Sequence, residues 1–178
     1  MFIMRCFVAV DLAKELKDKV VELQRRIPGD VKLVKPENLH FTLKFLGEID
    51  GETHKRVSEI IKDIASSFRP FNIFVKGVGV FPSLNYIRVV WIGGEVLQVL
   101  QNATENALAQ MFKKEKSVPH LTIARVRSPK GLDAIKEFVN ANESIDIGAM
   151  RVDRIKLKNS TLMPKGPVYE DSEVYYLS

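Results

Sequence analysis

Apolar residues follow two different periods along this chain of 178 residues. Short segments that alternate apolar and polar positions, or that are continuously apolar and β-branched, are typical of strands. Between them, apolar residues recur three and four positions apart, as they do on the buried face of a helix. The pattern predicts strands at 2–10, 31–34, 39–46, 71–81, 86–93, 119–126, 145–160 and 168–177, and helices following positions 11, 50, 94 and 128.

Three predicted helices have identifiable starts. Asp11 is a suitable N-cap residue, Asp50-Gly51 begins the second helix, and the pair Ser128-Pro129 is typical of an N-cap followed by the first helical turn. The order of elements repeats loosely, since each half reads strand, helix, strand with a histidine, helix, strands. No segment has the composition of a linker, so we expect a single domain over residues 1–178 with approximate halves 1–92 and 93–178.

Two predicted strands contain the same pattern, His-x-Thr-x, although the chain has only three histidines. Successive side chains of a strand point to opposite faces, so the His and the Thr share one face and lie about 7 Å apart along the strand. Each strand can therefore bury its apolar face while presenting an imidazole and a hydroxyl to one small ligand. The polar faces carry His40 with Thr42 and His120 with Thr122, and the apolar faces carry Phe41 with Leu43 and Leu121 with Ile123.

The residues of this repeated motif suit acid–base chemistry on a phosphate. Two histidines can act near neutral pH, one accepting a proton and the other donating one. Two threonine hydroxyls can donate hydrogen bonds to the non-bridging oxygens of a phosphate. Carboxylates or cysteines at metal-ligand spacing are absent from the motifs, as are a Gly-x-Ser-x-Gly nucleophile setting and a phosphate-binding loop of the Gly-x-x-x-x-Gly-Lys-Ser/Thr type.

Composition and charge restrict the classes of function further. The formal net charge of +5 and the pI of about 9.3 are compatible with a polyanionic partner. Cys6 is the only cysteine, so an internal disulfide is impossible, which is typical of a reducing compartment. No stretch approaches the ~20 apolar residues of a membrane span, and Arg5 interrupts the apolar N-terminus. These features predict a cytoplasmic protein without a membrane partner.

Five segments together resemble a known family. They are "RCFVAVDL", "NLHFTLKFLGEI", "VVWIGG", "PHLTIARV" and "LKNSTLMPKGPVYEDSEVYYL", in this order over nearly the whole chain. Each His-x-Thr-x tetrapeptide alone is weakly specific. The ordered set of five segments, however, resembles the RNA 2′,3′-cyclic phosphodiesterases, also called 2′-5′ RNA ligases, of the two-histidine phosphoesterase superfamily.

The resemblance implies a fold and a reaction. The fold is α+β, with two pseudo-symmetric lobes whose antiparallel sheets face a central basic cleft and whose helices lie on the outer faces. The reaction is hydrolysis of an RNA 2′,3′-cyclic phosphate end to a 2′-phosphate without a metal or other cofactor. The resemblance assigns His40 as proton donor and His120 as proton acceptor, and it places Thr42, Thr122 and Arg125 at the phosphate. RNA, with tRNA fragments among the possible substrates, is the implied partner, and no protein partner is inferred.

Strict alternation raises questions about two residues of the motif strands. Counting from His120, it puts Arg125 on the apolar face, so we expect the strand to twist or end by Ala124; the alternative is a structural role for Arg125. Counting from His40, it puts Lys44 on the polar face, where it would contact RNA phosphates or remain solvated. Phe7 and Phe45 are predicted to pack in the core in preference to stacking on a base, as is Trp91.

Three alternative functions stay open at this point. A related two-histidine enzyme could act on another cyclic phosphate, such as an ADP-ribose cyclic phosphate or a cyclic nucleotide, because the motifs bind only the phosphate. An RNA-binding module without turnover is a second class, although binding alone would be served by Lys and Arg. A carrier of phosphorylated metabolites is a third, and no feature of the sequence supports it.

Overall fold

The computed structural model describes residues 1–178 and contains nine strands and four α-helices. The strands are β1 (Ile3–Asp11), β2 (Val31–Leu33), β3 (His40–Asp50), β4 (Phe71–Ser83), β5 (Tyr86–Gly93), β6 (His120–Val126), β7 (Asp146–Val152), β8 (Arg154–Met163) and β9 (Gly166–Tyr176). The helices are α1 (Lys14–Arg25), α2 (Gly51–Ser67), α3 (Gln98–Ala107) and α4 (Leu132–Ala141).

All strands belong to one antiparallel sheet with the order β7-β4-β5-β6-β3-β1-β8-β9, and β2 pairs with β6. At the centre, β3 and β6 pair through only Phe41 and Leu121. The sheet therefore divides into a β3 half (β3, β1, β8, β9) and a β6 half (β6, β5, β4, β7). Helices α2 and α3 pack against the β3 half, and α1 and α4 against the β6 half. The predicted α+β class with two related lobes is confirmed.

Neither half of the sheet corresponds to one half of the sequence. The β3 half combines residues 3–50 with residues 154–176, whereas the β6 half is drawn from residues 71–152. The reason is that β8 returns to pair with β1, and β9 then pairs with β8, instead of extending the β6 half. The division of a single domain over residues 1–178 into approximate halves 1–92 and 93–178 stays a prediction.

The core lies between the sheet and the helices, and the apolar faces of the motif strands form part of it. Phe41, Leu43, Leu121 and Ile123 are all buried, as alternation predicts. Fully burying side chains of this size contributes about 1.5–3 kcal/mol each to the free energy of unfolding. This burial fixes the opposite, polar face of each strand toward the solvent side of the sheet. None of the four helices has both the length and the apolar composition needed to cross a bilayer.

The predicted start of α2 is confirmed, and the cap predicted at Asp11 is wrong. The carboxylate of Asp50 accepts a hydrogen bond from the backbone N–H of Thr53 at 2.8 Å, which satisfies a free donor of the first turn of α2. Asp11, in contrast, is the last residue of β1, and the N-cap of α1 is Ala13. The Asp11 carboxylate instead binds the ammonium groups of Lys156 and Lys158 at 2.7 and 3.0 Å, because paired charges hold it more strongly than one backbone N–H would.

The predicted cap at Ser128 is also wrong. Its hydroxyl donates to the Asp30 carboxylate at 2.7 Å, and α4 begins only at Leu132. The residue before the helix is Gly131, whose φ of 81° lies in the left-handed region that glycine adopts without strain. The Ser128 hydroxyl also accepts from the backbone N–H of Lys130 at 3.4 Å, but both residues precede α4, so this contact does not cap the helix.

Candidate active site

The two His-x-Thr strands are neighbours at the centre of the sheet. The Phe41–Leu121 pair sets an antiparallel register in which the two histidines lie diagonally across the ladder. Diagonal neighbours of this kind are about 7–8 Å apart. A single cleft of about 310 Å³ opens on this face, and all five residues predicted for the site line it: His40, Thr42, His120, Thr122 and Arg125.

A β-bulge in β3 changes which side chains face the cleft. Thr42 pairs with Ala9 and Lys44 pairs with Val8, so Leu43 is an extra residue without a partner in β1. The bulge leaves Leu43 and Lys44 both on the buried side. Phe45 consequently turns into the cleft, where 59% of it is exposed. The prediction that Phe45 packs in the core is wrong, because alternation was counted through a bulge.

An equivalent bulge occurs in β6. Thr122 pairs with Trp91 and Ala124 pairs with Val90, which leaves Ile123 as the extra residue. Ile123 and Ala124 are both buried, and Arg125 returns to the cleft face. The strand therefore departs from strict alternation by Ala124, as expected for an Arg that cannot be buried unpaired. The two strands share the pattern His-x-Thr-x-x followed by a cleft residue, which is Phe45 in one and Arg125 in the other.

Lys44 neither contacts the cleft nor lies in solvent, so both predicted environments for it are wrong. Only 3% of it is exposed. Its ammonium group binds the Glu105 carboxylate of α3 at 3.0 Å and donates to the Lys113 carbonyl at 2.6 Å. The same Glu105 oxygen accepts from the backbone N–H of Glu115 at 3.2 Å. The pair thus attaches β3 to the segment that leads into His120.

Aromatic rings enclose His40. The Phe7 ring lies 4.9 Å from the His40 ring, and the edge-on Tyr169 ring lies 5.3 Å from it, measured between centroids. Phe7 is buried, which confirms the prediction for that residue. Tyr169 lines the cleft, and burial raises the pKa of its phenol, so the hydroxyl stays protonated and can donate a hydrogen bond.

Two more aromatic rings flank His120. Phe81 meets it edge-on at 4.8 Å, and Trp91 lies 6.3 Å away. Trp91 is half-buried and not a full core residue, and its indole N–H is shielded from solvent with no hydrogen-bond partner. A Cβ on Gly79 would overlap this indole ring, so glycine there makes room for Trp91 beside His120.

Two residues that line the cleft, Tyr169 and Phe81, are not predicted by the sequence. Both lie on strands that are distant in sequence from the motifs. No local pattern marks them, because only the order of strands in the sheet brings β9 and β4 to the two histidines.

Hydrogen bonds set the tautomer of both histidines. His40 Nδ1 lies 2.6 Å from the Asn38 carbonyl, and His120 Nδ1 lies 2.8 Å from the Val118 carbonyl. A carbonyl oxygen can only accept, so each Nδ1 carries a hydrogen. The Nε2 of neutral His40 then accepts from the Thr42 hydroxyl at 2.9 Å, whereas the Nε2 of His120 has no partner within the protein. A free lone pair on Nε2 is what a proton acceptor needs.

Burial keeps both rings neutral in the free protein. It lowers the pKa of His40 to about 4; the bond to Asn38 offsets this in part, and the Lys158 ammonium lowers the pKa further. Burial also lowers the pKa of His120, the bond to Val118 opposes this, and the Arg125 guanidinium adds to the lowering. Near pH 7 each Nε2 is therefore unprotonated. A proton on His40 needs a nearby negative charge to stabilise it.

An anion in the cleft should therefore raise the pKa of His40. Without ligand, nitrogen NMR shifts should report His40 as neutral down to about pH 4. With saturating sulfate, whose charge does not change in this range, the pKa should rise, because a nearby negative charge favours the imidazolium form. Sodium chloride at the same ionic strength is the control and should leave the titration unchanged. An identical His40 titration in both salts would contradict a proton-donor role for His40.

Comparison with known proteins identifies relatives over the full length of the chain. The family model described as LigT-like phosphoesterase matches residues 10–91 and 93–169. A protein of Methanothermobacter thermautotrophicus named RNA 2′,3′-cyclic phosphodiesterase is 40% identical, with 97% of this chain and 98% of that protein covered. A protein of the same name from Methanocaldococcus jannaschii is 38% identical, with 94% and 97% covered.

Solved structures agree with these matches. The crystal structure of TT0787 of Thermus thermophilus has a TM-score of 0.81 to this chain at 28% identity, with 98% of both chains covered. The structure of E. coli LigT in apo form has a TM-score of 0.77 at 24% identity, with 100% of this chain and 99% of that chain covered, and shows the same fold. The resemblance predicted from the five sequence segments is confirmed.

Proposed function

This chain belongs to the LigT-like phosphoesterase family, and we propose that it hydrolyses the 2′,3′-cyclic phosphate at the end of an RNA chain to a 2′-phosphate. One observation carries the proposal: two paired strands present His40 with Thr42 and His120 with Thr122 to a single cleft. The name RNA 2′,3′-cyclic phosphodiesterase, which both archaeal relatives bear, supports the choice of substrate.

In the proposed reaction, water attacks phosphorus opposite the 3′ oxygen. A new bond forms between phosphorus and the water oxygen while the bond from phosphorus to the 3′ oxygen breaks. His120 Nε2 takes the proton of the water, and His40 Nε2 gives a proton to the departing 3′ oxygen. The free, neutral Nε2 of His120 supports the acceptor role. The negative phosphate itself would stabilise the proton on His40 that the donor role requires.

Thr42, Thr122 and Arg125 are proposed to bind the non-bridging phosphate oxygens. Hydroxyl donors fixed on strands stabilise negative charge that develops during attack. The Thr42 hydroxyl becomes free to donate to the phosphate when His40 Nε2 is protonated, because that nitrogen then no longer accepts from it. The Arg125 guanidinium has no ion-pair partner among the acidic residues, so its charge is available to the phosphate. No metal or other cofactor has a role in this proposal.

Removing either hydroxyl should slow turnover less than removing a histidine. We expect Thr42→Ala and Thr122→Ala each to lower kcat by at most about 10²–10³-fold, the range for one oxyanion-type donor. Thr42→Ser and Thr122→Ser keep the hydroxyl and should retain most activity. The exposed Thr161 is the matched control, and Thr161→Ala should leave kcat unchanged. Equal losses in the Ala and Ser variants would show that the hydroxyls are not the active groups.

A single assay tests the proposal against its alternatives. The protein is incubated in EDTA with an oligonucleotide that ends in a 2′,3′-cyclic phosphate, and the product is identified by phosphorus NMR. A 2′-phosphate supports the proposal, whereas a 3′-phosphate would overturn its regiochemistry and leave the two-histidine mechanism standing. Loss of activity in EDTA would overturn metal independence. A higher kcat/KM for an ADP-ribose cyclic phosphate or a cyclic nucleotide would favour a two-histidine enzyme that acts on another cyclic phosphate. RNA binding without turnover would favour an RNA-binding module.

Three finer points belong to the same proposal. In the reverse direction a 5′-hydroxyl would replace water, giving a 2′-5′ linkage; ATP is not required, since the cyclic phosphate is already activated. The RNA substrates would include tRNA fragments, and no protein partner is proposed. A cytoplasmic location is compatible with the buried free thiol of Cys6.

A further inference from the structure

Four cations at one end of the cleft have no acidic partner. Lys32, Lys35, Arg125 and Lys165 all line the cleft and are exposed, yet none of them takes part in an ion pair. Lys32 and Arg125 are direct partners in the β2–β6 ladder. Like charges directly opposite each other on antiparallel strands are destabilising. The arrangement therefore costs stability in the free protein unless an anion binds there.

The lysines come from two segments that meet over the cleft. Lys32 and Lys35 flank the end of β2, while Lys165 lies in the turn between β8 and β9. The Asn38 amide donates to the Pro167 carbonyl at 3.0 Å and connects the two segments. The Lys32 ammonium lies 3.4 Å from the position that a Cβ on Gly166 would occupy. Its charge is thus held beside the turn that carries Lys165.

Lys32 and Arg125 are displaced along β6 from the proposed site of reaction. His120 and Thr122 come first in the strand, Arg125 follows, and Lys32 lies beside Arg125 on the next strand. Lys35, in contrast, follows the segment that runs back along β6, where the Val34 N–H donates to the Ile123 carbonyl at 3.0 Å. An anion held by Lys32 and Lys165 would therefore be a neighbour of the reacting phosphate and not the same group.

We propose that Lys32 and Lys165 bind the internucleotide phosphate that precedes the terminal cyclic phosphate. The ligand is a phosphodiester of a single RNA strand, and basic grooves that follow the backbone are the usual way in which proteins hold such strands. The inference rests on the proposed function. It assigns RNA chains, and not free nucleoside cyclic phosphates, as the preferred substrate class.

Three substrates distinguish binding of the internucleotide phosphate from binding of the terminal cyclic phosphate. They are a dinucleotide ending in a 2′,3′-cyclic phosphate, the same dinucleotide with a neutral methylphosphonate linkage, and a nucleoside 2′,3′-cyclic phosphate. Lys32→Gln and Lys165→Gln should each lower kcat/KM for the charged dinucleotide by about 3–5-fold, the size of one exposed ion contact. The loss should be clearly smaller for the two substrates that lack the internucleotide charge. Lys62→Gln is the matched control, because it removes the same charge at an exposed position of α2. It should leave kcat/KM unchanged for all three substrates.

Two further readouts exclude a structural role for the lysines. For the charged dinucleotide, the slope of log affinity against log salt should become shallower by about 0.7 in each variant, the value for one contact to a single strand. The thermal midpoint of unfolding should stay the same or rise, because a repulsion between like charges is removed. Equal losses on all three substrates, or a lowered midpoint that accounts for the loss, would overturn the inference. If the wild-type protein turns over none of the substrates, the proposed function itself fails.

Discussion

Replacing His40 or His120 by Ala should lower the turnover of an RNA 2′,3′-cyclic phosphate by ~10²–10⁴-fold, the range for a positioned acid or base. Each histidine has its Nδ1 hydrogen held by a backbone carbonyl, so the Nε2 of each ring is the atom that can exchange a proton with a ligand. No other histidine lines the cleft, so no neighbouring imidazole can take over the role. Single-turnover kinetics at saturating substrate would measure the loss.

Combining the two substitutions should not multiply the losses. The proposed acid and base act in one displacement, so removing the first should already abolish most of what the second contributes. In the unaltered protein, kcat/KM should follow a bell-shaped dependence on pH, because one ring must be protonated and the other neutral.

His54 is the matched control for these substitutions. It is half-buried in α2, its Nε2 contacts the Ser172 hydroxyl at 2.8 Å, and it does not line the cleft. His54→Ala should therefore leave turnover close to that of the unaltered protein. Normal turnover by His40→Ala, with the fold intact by circular dichroism, would refute its assignment as proton donor.

Lys44→Met should destabilise the fold by about 3–5 kcal/mol, the cost of leaving one member of a buried ion pair without its partner. The buried Glu105 carboxyl would be left without its cation, and the Lys113 carbonyl would lose its 2.6 Å contact. Domains of ordinary size have a free energy of unfolding of only about 5–15 kcal/mol, so this is a large fraction of the total. Denaturant unfolding followed by circular dichroism would measure it.

Restoring charge balance should recover most of that loss. In Lys44→Met/Glu105→Leu no charge is left unpaired, and apolar replacement of a buried pair is often neutral or better. Lys62→Met, at an exposed position, should change the free energy of unfolding by less than about 0.5 kcal/mol. If Lys44→Met were as mild as Lys62→Met, the buried pair would not stabilise the fold. If the double variant did not recover the free energy of unfolding, the loss would come from altered packing and not from the unpaired charge.

The elements of this protein follow from local patterns in its sequence. The period of apolar residues predicts the four helices and the strands within a few positions, because it depends only on which face of each element is buried. Over the three residues His-x-Thr the same rule places His40 with Thr42 and His120 with Thr122 on the polar face. The buried backs of both strands, Phe41 and Leu121 among them, bear this out.

The rule of alternation fails two residues beyond each Thr. Leu43 and Ile123 are bulged, and each bulge exists only relative to a partner strand that has one residue fewer at that point. Nothing within "HFTLKF" or "HLTIAR" reveals the number of residues on the opposite strand. The sequence therefore misplaced Phe45 and Lys44, and it could anticipate the position of Arg125 only from the cost of burying an unpaired charge.

The sequence by itself determined the secondary structure, the two motif strands and the face on which their polar residues lie, since these depend on interactions between residues close in the chain. Tertiary structure alone decided the strand order, the bulges and the residues that surround each histidine. Tyr169 reaches His40 and Phe81 reaches His120 because β9, paired with β8, and β4, paired with β5, belong to the same sheet as the motif strands. Lys44 is buried because Glu105, 61 residues further along the chain, supplies the opposite charge that makes its burial tolerable.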